Sequence, residues 1–325
     1  MRVEREEDGA SMPIDAAQVA ATQARIVAAA GEVKGIVGVY AKDLASGVEI
    51  AHNADTVFPT ASVMKIPILY ELYRQVEAGT VDLGTRITLG AEHMVPGSGI
   101  LQDLDLGLSP TVKDLATLMI TVSDNAATDL VLAQIDLATL AATLRGLGLT
   151  RTEIPLTVRA LLYDTVGLDA ANPEHTYDLY LERSRAGVID WNCRAYADEG
   201  NNVSTPREMA TLLELIERRQ GLSAASCDAM IDIMKRQKYT DRIPRQLPEG
   251  TDVAHKTGSL RGIRNDAGIV YAPDGPYVIS LFAKHLADPV AGVNALAQIS
   301  QYVWEGFVGP VPQTTYGPTP EVAAP

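Results

Sequence analysis

Several large classes of protein are excluded by what this chain has little of. Among its 325 residues there are two cysteines, Cys193 and Cys227. That is too few for a disulfide framework, and their spacing is not that of metal ligands, so both are expected as buried free thiols. No stretch reaches the ~18 consecutive apolar residues of a membrane span. Basic residues are in the minority, 27 Lys and Arg against 41 Asp and Glu, for a net charge of −14. Nucleic acid and anionic lipid both require basic patches, so neither is expected as a partner. His52, His93, His175, His255 and His285 lack metal-site spacing and are expected in solvated or structural places; no metal and no cofactor is expected. The opening "MRVEREEDGASMPIDAA" is charged and has no apolar h-region. The cytoplasm is therefore the expected compartment, with a secreted or periplasmic location the alternative if a leader lies upstream.

What is present suffices for a large core, at 46% apolar residues. Residues 1–13 read as a flexible leader. The Ala-rich run 14–30, ending at Gly31, reads as a surface helix. "GIVGVYAKDL" and "GVEIAHN" read as strands joined at Ser46-Gly47. Helical character follows from Thr60, with Pro67 expected to kink the first helix. Thr111 and Asp114 form a candidate capping box, and Thr205-Pro206 a candidate helix start. Strand character returns in "TDVAHKTGS", "DAGIVYAP" and "PYVISLFAK", before a last helix and a tail at 309–325.

This order predicts an α/β fold of the α+β type, an antiparallel sheet built from N- and C-terminal strands and flanked by helices. Residues 14–60 plus 245–308 would form the sheet subdomain, and 61–244 an inserted all-helical subdomain. Residues 150–203 show no sustained periodicity and are expected as a long irregular segment. Trp191 and Tyr196, within it, are expected to pack locally in the core rather than to form a lid.

The chemistry begins at "TASVMKIPILYELYRQ", residues 60–75, where Lys65 sits among apolar neighbours one helical turn after Ser62. A serine hydroxyl needs a base, and a lysine becomes one when burial lowers its pKa. A lone Ser-x-x-Lys arises by chance about once in a chain of this length. Here it is followed by Ser123-Asp124-Asn125 and by Lys256-Thr257-Gly258-Ser259. All three in this order have a chance probability of roughly one in several hundred.

This set resembles that of the penicillin-recognising serine hydrolases, class A β-lactamases in particular. The likeness covers about residues 33–305 and includes the 61-residue step from Ser62 to Ser123 and the "STPREMATLL" helix. It implies a serine acyl-hydrolase that opens β-lactam rings through a Ser62 acyl-enzyme. Lys65 would activate Ser62, while Ser123, helped by the field of Lys256, would relay a proton to the leaving nitrogen. The backbone N–H groups of Ser62 and Ser259 would form an oxyanion hole. Thr257, Gly258, Ser259 and Arg264 would bind a substrate carboxylate along the strand, and Asn125 an amide side chain. The implied partner is a small carboxylate-bearing molecule, a β-lactam or acyl peptide.

One element of the family pattern is missing. An omega-loop E-x-x-L-N pentad normally activates the deacylating water, and Glu153, Glu174, Glu182 and Glu199 all lack Asn four residues later. The interval from Ser123 to Lys256 is also longer than is usual. Slow or unusual deacylation is therefore expected. The alternatives are a D-alanyl-D-alanine carboxypeptidase or esterase of the same superfamily, and a penicillin-binding sensor that stays acylated.

Overall fold

The computed structural model describes residues 14–311; the expected leader and most of the expected tail lie outside the described residues. Five antiparallel strands make the main sheet: β1 (Ile36–Asp43), β2 (Glu49–His52), β5 (Val253–Leu260), β6 (Ile263–Ala272) and β7 (Gly275–Lys284). Their order is β2-β1-β7-β6-β5, so strands from both ends of the chain meet where β1 pairs with β7. A short pair, β3 (Phe58–Pro59) with β4 (Val203–Ser204), stands apart.

Period-two alternation divides the sheet's side chains between two cores. Val37, Val39, Ala41, Ile279 and Leu281 join helices α1 (Ala16–Glu32) and α10 (Pro289–Phe307) on one face. Tyr40, Ile269, Val278 and Phe282 face the other way, into the larger core formed with the helical layer. Each fully buried aliphatic or aromatic side chain there contributes about 1.5–3 kcal/mol. Gly38 is needed at this junction, because a Cβ there would lie 2.6 Å from the Phe58 ring.

The helical layer comprises α2 (Lys65–Glu77), α3 (Val112–Thr121), α4 (Asn125–Leu132), α5 (Leu137–Gly146), α6 (Val158–Asp164), α7 (Tyr177–Arg185), α8 (Pro206–Glu217) and α9 (Ala224–Lys235). The capping box forms at α3: Thr111 N donates to Asp114 Oδ2 at 2.9 Å and Asp114 N to Thr111 Oγ1 at 3.1 Å. Thr205 caps α8 as its sequence suggests. Within the 61–244 segment, α8 packs on β1, β6 and β7, so that helix belongs to the sheet's packing as much as to the helices'.

Pro67 is the third residue of α2, which continues directly from the 3₁₀ turn Ala61–Met64. Three expectations need correction. Residues 150–203 are not irregular throughout: they contain α6, α7 and a 3₁₀ turn at Arg194–Tyr196. These elements are too short to show an apolar period; Thr157 and Thr176 start the two helices by accepting from Ala160 N and Leu179 N. Cys227 is buried, but Cys193 is only half-buried. Trp191 is 56% exposed and leans on Tyr196, with ring centroids 5.1 Å apart, instead of packing into a core.

Candidate active site

Three segments converge where the edge strand β5 meets the turn before α2. The 3₁₀ turn Ala61–Met64 carries Ser62, and Lys65 opens α2 directly after it. Ala61 holds a left-handed backbone, φ 46°, and so does Ser123, φ 56°. Such strain in residues with side chains is kept only where surrounding structure fixes it. At Ser62 the clamps are two asparagines. Asn265 Nδ2 donates to Pro59 O and Thr60 O at 2.8 and 3.0 Å. Asn202 O accepts from Thr60 N at 2.9 Å and Thr60 Oγ1 at 3.0 Å.

Gly258 brings β5 against this turn. A Cβ there would lie 2.6 Å from Thr60 O and 3.1 Å from the nitrogens of both Ser62 and Val63. Only glycine permits so close an approach.

Ser123 follows α3, and Asp124 caps α4 through Ala127 N at 2.9 Å. The same carboxylate accepts from Ile100 N at 2.7 Å and Leu101 N at 2.9 Å, holding the loop 95–101, whose Ser98 lines the cavity at Ser62. Gly99, φ 110°, has no room for a Cβ against Asp124.

Lys65 is fully buried. Its ammonium donates to Ser123 O at 2.8 Å, Ser123 Oγ at 3.1 Å and Asn125 Oδ1 at 2.9 Å. Desolvation lowers its pKa to about 7, with Asp124 and Asp129 opposing the shift. Near neutral pH a large share of Lys65 is thus free amine, the state a base requires. Lys256 is equally buried and donates to Thr257 O at 2.7 Å. Its pKa is also lowered, first by burial and then by repulsion from Lys65.

A cavity of about 340 Å³ is lined by Ser62, Ser98, Ser123, Thr257, Ser259, Arg264, Arg242, Tyr239 and Asp241. It therefore gathers residues from all three motifs. The nucleophile candidate, the Lys65 environment and the Lys256 strand come together as their order in the chain implies. Arg264 lines this cavity, but its Nη1 donates to Leu260 O at 2.6 Å and Ile263 O at 2.7 Å.

Arg242 is the residue that the sequence reading missed. It is 4% exposed, and its Nη2 donates to Ser259 Oγ at 2.7 Å while Nη1 reaches Asn265 O at 3.2 Å. Asp266 steadies its segment by accepting from Ile243 N at 3.1 Å and pairing with the buried His255 at 2.9 Å. Neither periodicity nor a motif marks Arg242, because it sits in an irregular stretch before β5. Its signal would have been a lone cation just upstream of Lys256.

A second, smaller cavity of about 110 Å³ also opens onto Ser62 and Asn125. Its far side is apolar: Val158, Leu161 and Leu162 of α6, with Leu260. Asp129 holds that helix in place by accepting from Val158 N at 2.7 Å and Arg159 N at 2.9 Å. Burial raises the Asp129 pKa to about 6. Glu153, Glu174, Glu182 and Glu199 are all exposed, and none lines either cavity at Ser62.

A buried lysine one turn after Ser62 and bonded to Ser123, set beside a glycine-opened strand, fits a serine hydrolase of the class A type. A profile of the β-lactamase enzyme family matches residues 20–307, and the chain belongs to that family. Among curated relatives, the β-lactamase of Bacillus licheniformis is 28% identical over 251 residues, covering 76% of this chain and 71% of its own length. β-Lactamase VEB-1 of Pseudomonas aeruginosa is 25% identical over 274 residues, covering 79% and 80%. The crystal structure of a β-lactamase from Sphaerobacter thermophilus matches at 30% identity with a TM-score of 0.73, covering 90% of this chain and 98% of that one. PBP-A matches at 28% identity and a TM-score of 0.72, covering 88% and 96%. A mutant of PBP-A was solved as an acyl-enzyme complex with penicillin G.

Proposed function

We propose that this protein is acylated at Ser62 by β-lactams and releases the product slowly. The free amine of Lys65 takes the Ser62 proton as Oγ attacks the lactam carbonyl carbon. Backbone N–H groups of Ser62 and Ser259 receive the oxyanion, each such donor being worth ~3 kcal/mol in the transition state. The ring C–N bond then breaks, and Ser123 passes a proton from Lys65 to the leaving nitrogen. Lys256 lowers the cost of negative charge throughout. Arg242, Thr257 and Ser259 anchor the substrate carboxylate, with Arg264 at the cavity's edge, and Asn125 orients the acyl amide.

The observation that carries the acylation half is Lys65: fully buried, donating to Ser123 Oγ at 3.1 Å, and with a pKa lowered to about 7. The slow second half rests on the other cavity. Hydrolysis of the ester needs a base to activate water, and Val158, Leu161 and Leu162 offer none.

The same apolar wall favours one further reading, a penicillin-binding protein that handles an acyl peptide and is merely trapped by β-lactams. Rapid mixing with a chromogenic cephalosporin tests the proposal. The expected trace is a burst equal to the enzyme concentration followed by a shallow steady slope. Fast turnover without a burst contradicts slow release, and an absent burst with no turnover contradicts acylation. Cleavage of a D-alanyl-D-alanine peptide faster than the steady slope would favour the second reading.

A further inference from the structure

A third cavity, of about 370 Å³, borders the β5–β6 turn at Arg261 and Gly262 and shares no lining residue with the two cavities at Ser62. Trp191 and Tyr196 form one side of it, their ring planes tilted 37° to each other. Arg261, Lys284, His285 and Leu286 also line it. The indole of Trp191 is more than half exposed, although a comparable aromatic side chain is normally covered.

The charges around this cavity are unequal in their freedom. Lys284 is nearly buried, and Asp198 already neutralises it, with both carboxylate oxygens within 2.6 Å. Arg261 is exposed and makes no hydrogen bond or ion pair among the described residues. It is close enough to Tyr196 to lower that phenol's pKa against the larger effect of burial. His285 adds an exposed imidazole on a left-handed backbone, φ 56°. The cavity thus combines flat aromatic faces with an unengaged guanidinium, while the negative charge of Asp198 is taken up by Lys284.

We propose that this cavity is a second binding site, for a small planar aromatic anion: an aryl ring seated against Trp191 and Tyr196, with its carboxylate or sulfonate on Arg261. Leu260 and Gly262 flank Arg261 in the β5–β6 turn, and Leu260 lines the small cavity at Ser62. Leu260 also packs with Leu156, Leu161 and Ala195. The second site shares no lining residue with the cavities at Ser62 and does not rest on the acylation reading.

Isothermal titration of the full chain with 2-naphthoate tests it. One saturable site is expected. Trp191→Ala should weaken binding roughly tenfold, and Arg261→Gln about fivefold. Neutral 2-naphthamide should bind about as weakly to wild type as 2-naphthoate binds to Arg261→Gln. Trp191→Phe, which keeps a ring, should retain most of the affinity; both altered side chains are exposed, so the fold is not at stake. Arg242→Gln, which removes one of the two arginines lining the larger cavity at Ser62, should leave naphthoate binding unchanged. The proposal is overturned by the absence of saturable binding, by binding indifferent to Trp191 and Arg261, or by binding lost in Arg242→Gln.

Discussion

Ser62 faces two surfaces of opposite character. On one side stand Lys65, Ser123, Lys256, Ser259 and Arg242, all polar and several fully buried, with Lys65 bonded to Ser123, Arg242 to Ser259 and Lys256 to Thr257 O at 2.7–3.1 Å. On the other stand Val158, Leu161 and Leu162, which carry no titratable group. The first surface can create charge on a carbonyl and stabilise it. The second carries no group that could deprotonate water. The difference separates forming an acyl-enzyme from breaking it: the polar side offers the groups that the first needs, and no carboxylate lines the small cavity on the other side.

The sharpest way to break this contrast is to give the apolar side a base. Val158→Glu and Leu162→Glu, made separately, are expected to leave acylation by a penicillin intact. At least one should speed release by about a hundredfold or more, the usual contribution of a general base. Deacylation followed by mass spectrometry checks this, and an unchanged release rate in both would mean that something other than the missing carboxylate limits turnover. Conversely, Gly258→Ala attacks the polar side. Its new methyl overlaps Thr60 O, pushes β5 from Ser62, and should slow acylation about a hundredfold. A near-normal rate constant would show that the close approach is not needed.

Two smaller effects sharpen the polar side itself. Arg242→Gln should lower acylation roughly thirtyfold for a carboxylate-bearing β-lactam and little for an uncharged ester, because the lost interaction is a charge-assisted hydrogen bond. Arg264→Gln should cost only a few fold, since its guanidinium already serves two carbonyls. Equal losses in the two variants would contradict this division of labour. Acidification is the mildest probe. Acylation needs the free amine of Lys65, whose pKa lies at about 7. The rate should therefore rise with pH through 7 to a plateau, and fall about tenfold for each unit below that midpoint. A rate independent of pH between 5 and 8 would remove Lys65 as the base.

The sheet and the polar side were the legible parts of the sequence. Strands such as Val37–Ala41 alternate between two cores, and "VISLFA" forms a long apolar run bounded by turns, so local pattern and tertiary burial agree. The catalytic motifs were legible for a related reason: Ser62 and Lys65 share a helical turn, and Ser123 and Lys256 carry recognisable neighbours. The apolar side was not readable in the same way. The helix α6 has seven residues, too few for a period, and its place depends on Asp129, which lies outside residues 150–203. Arg242 escaped because a lone arginine in an irregular stretch acquires meaning only from Ser259, seventeen residues later. Trp191 was misplaced because large aromatics are usually covered, and nothing local marks one that borders a cavity.

Intact-protein mass spectrometry during exposure to excess penicillin tests the central claim most directly. The account predicts a full-occupancy adduct of the drug's mass within the burst phase, persisting long after free drug is removed and absent from Ser62→Ala. A wild-type protein that stays unmodified, or an adduct that the Ser62→Ala protein also acquires, would contradict it.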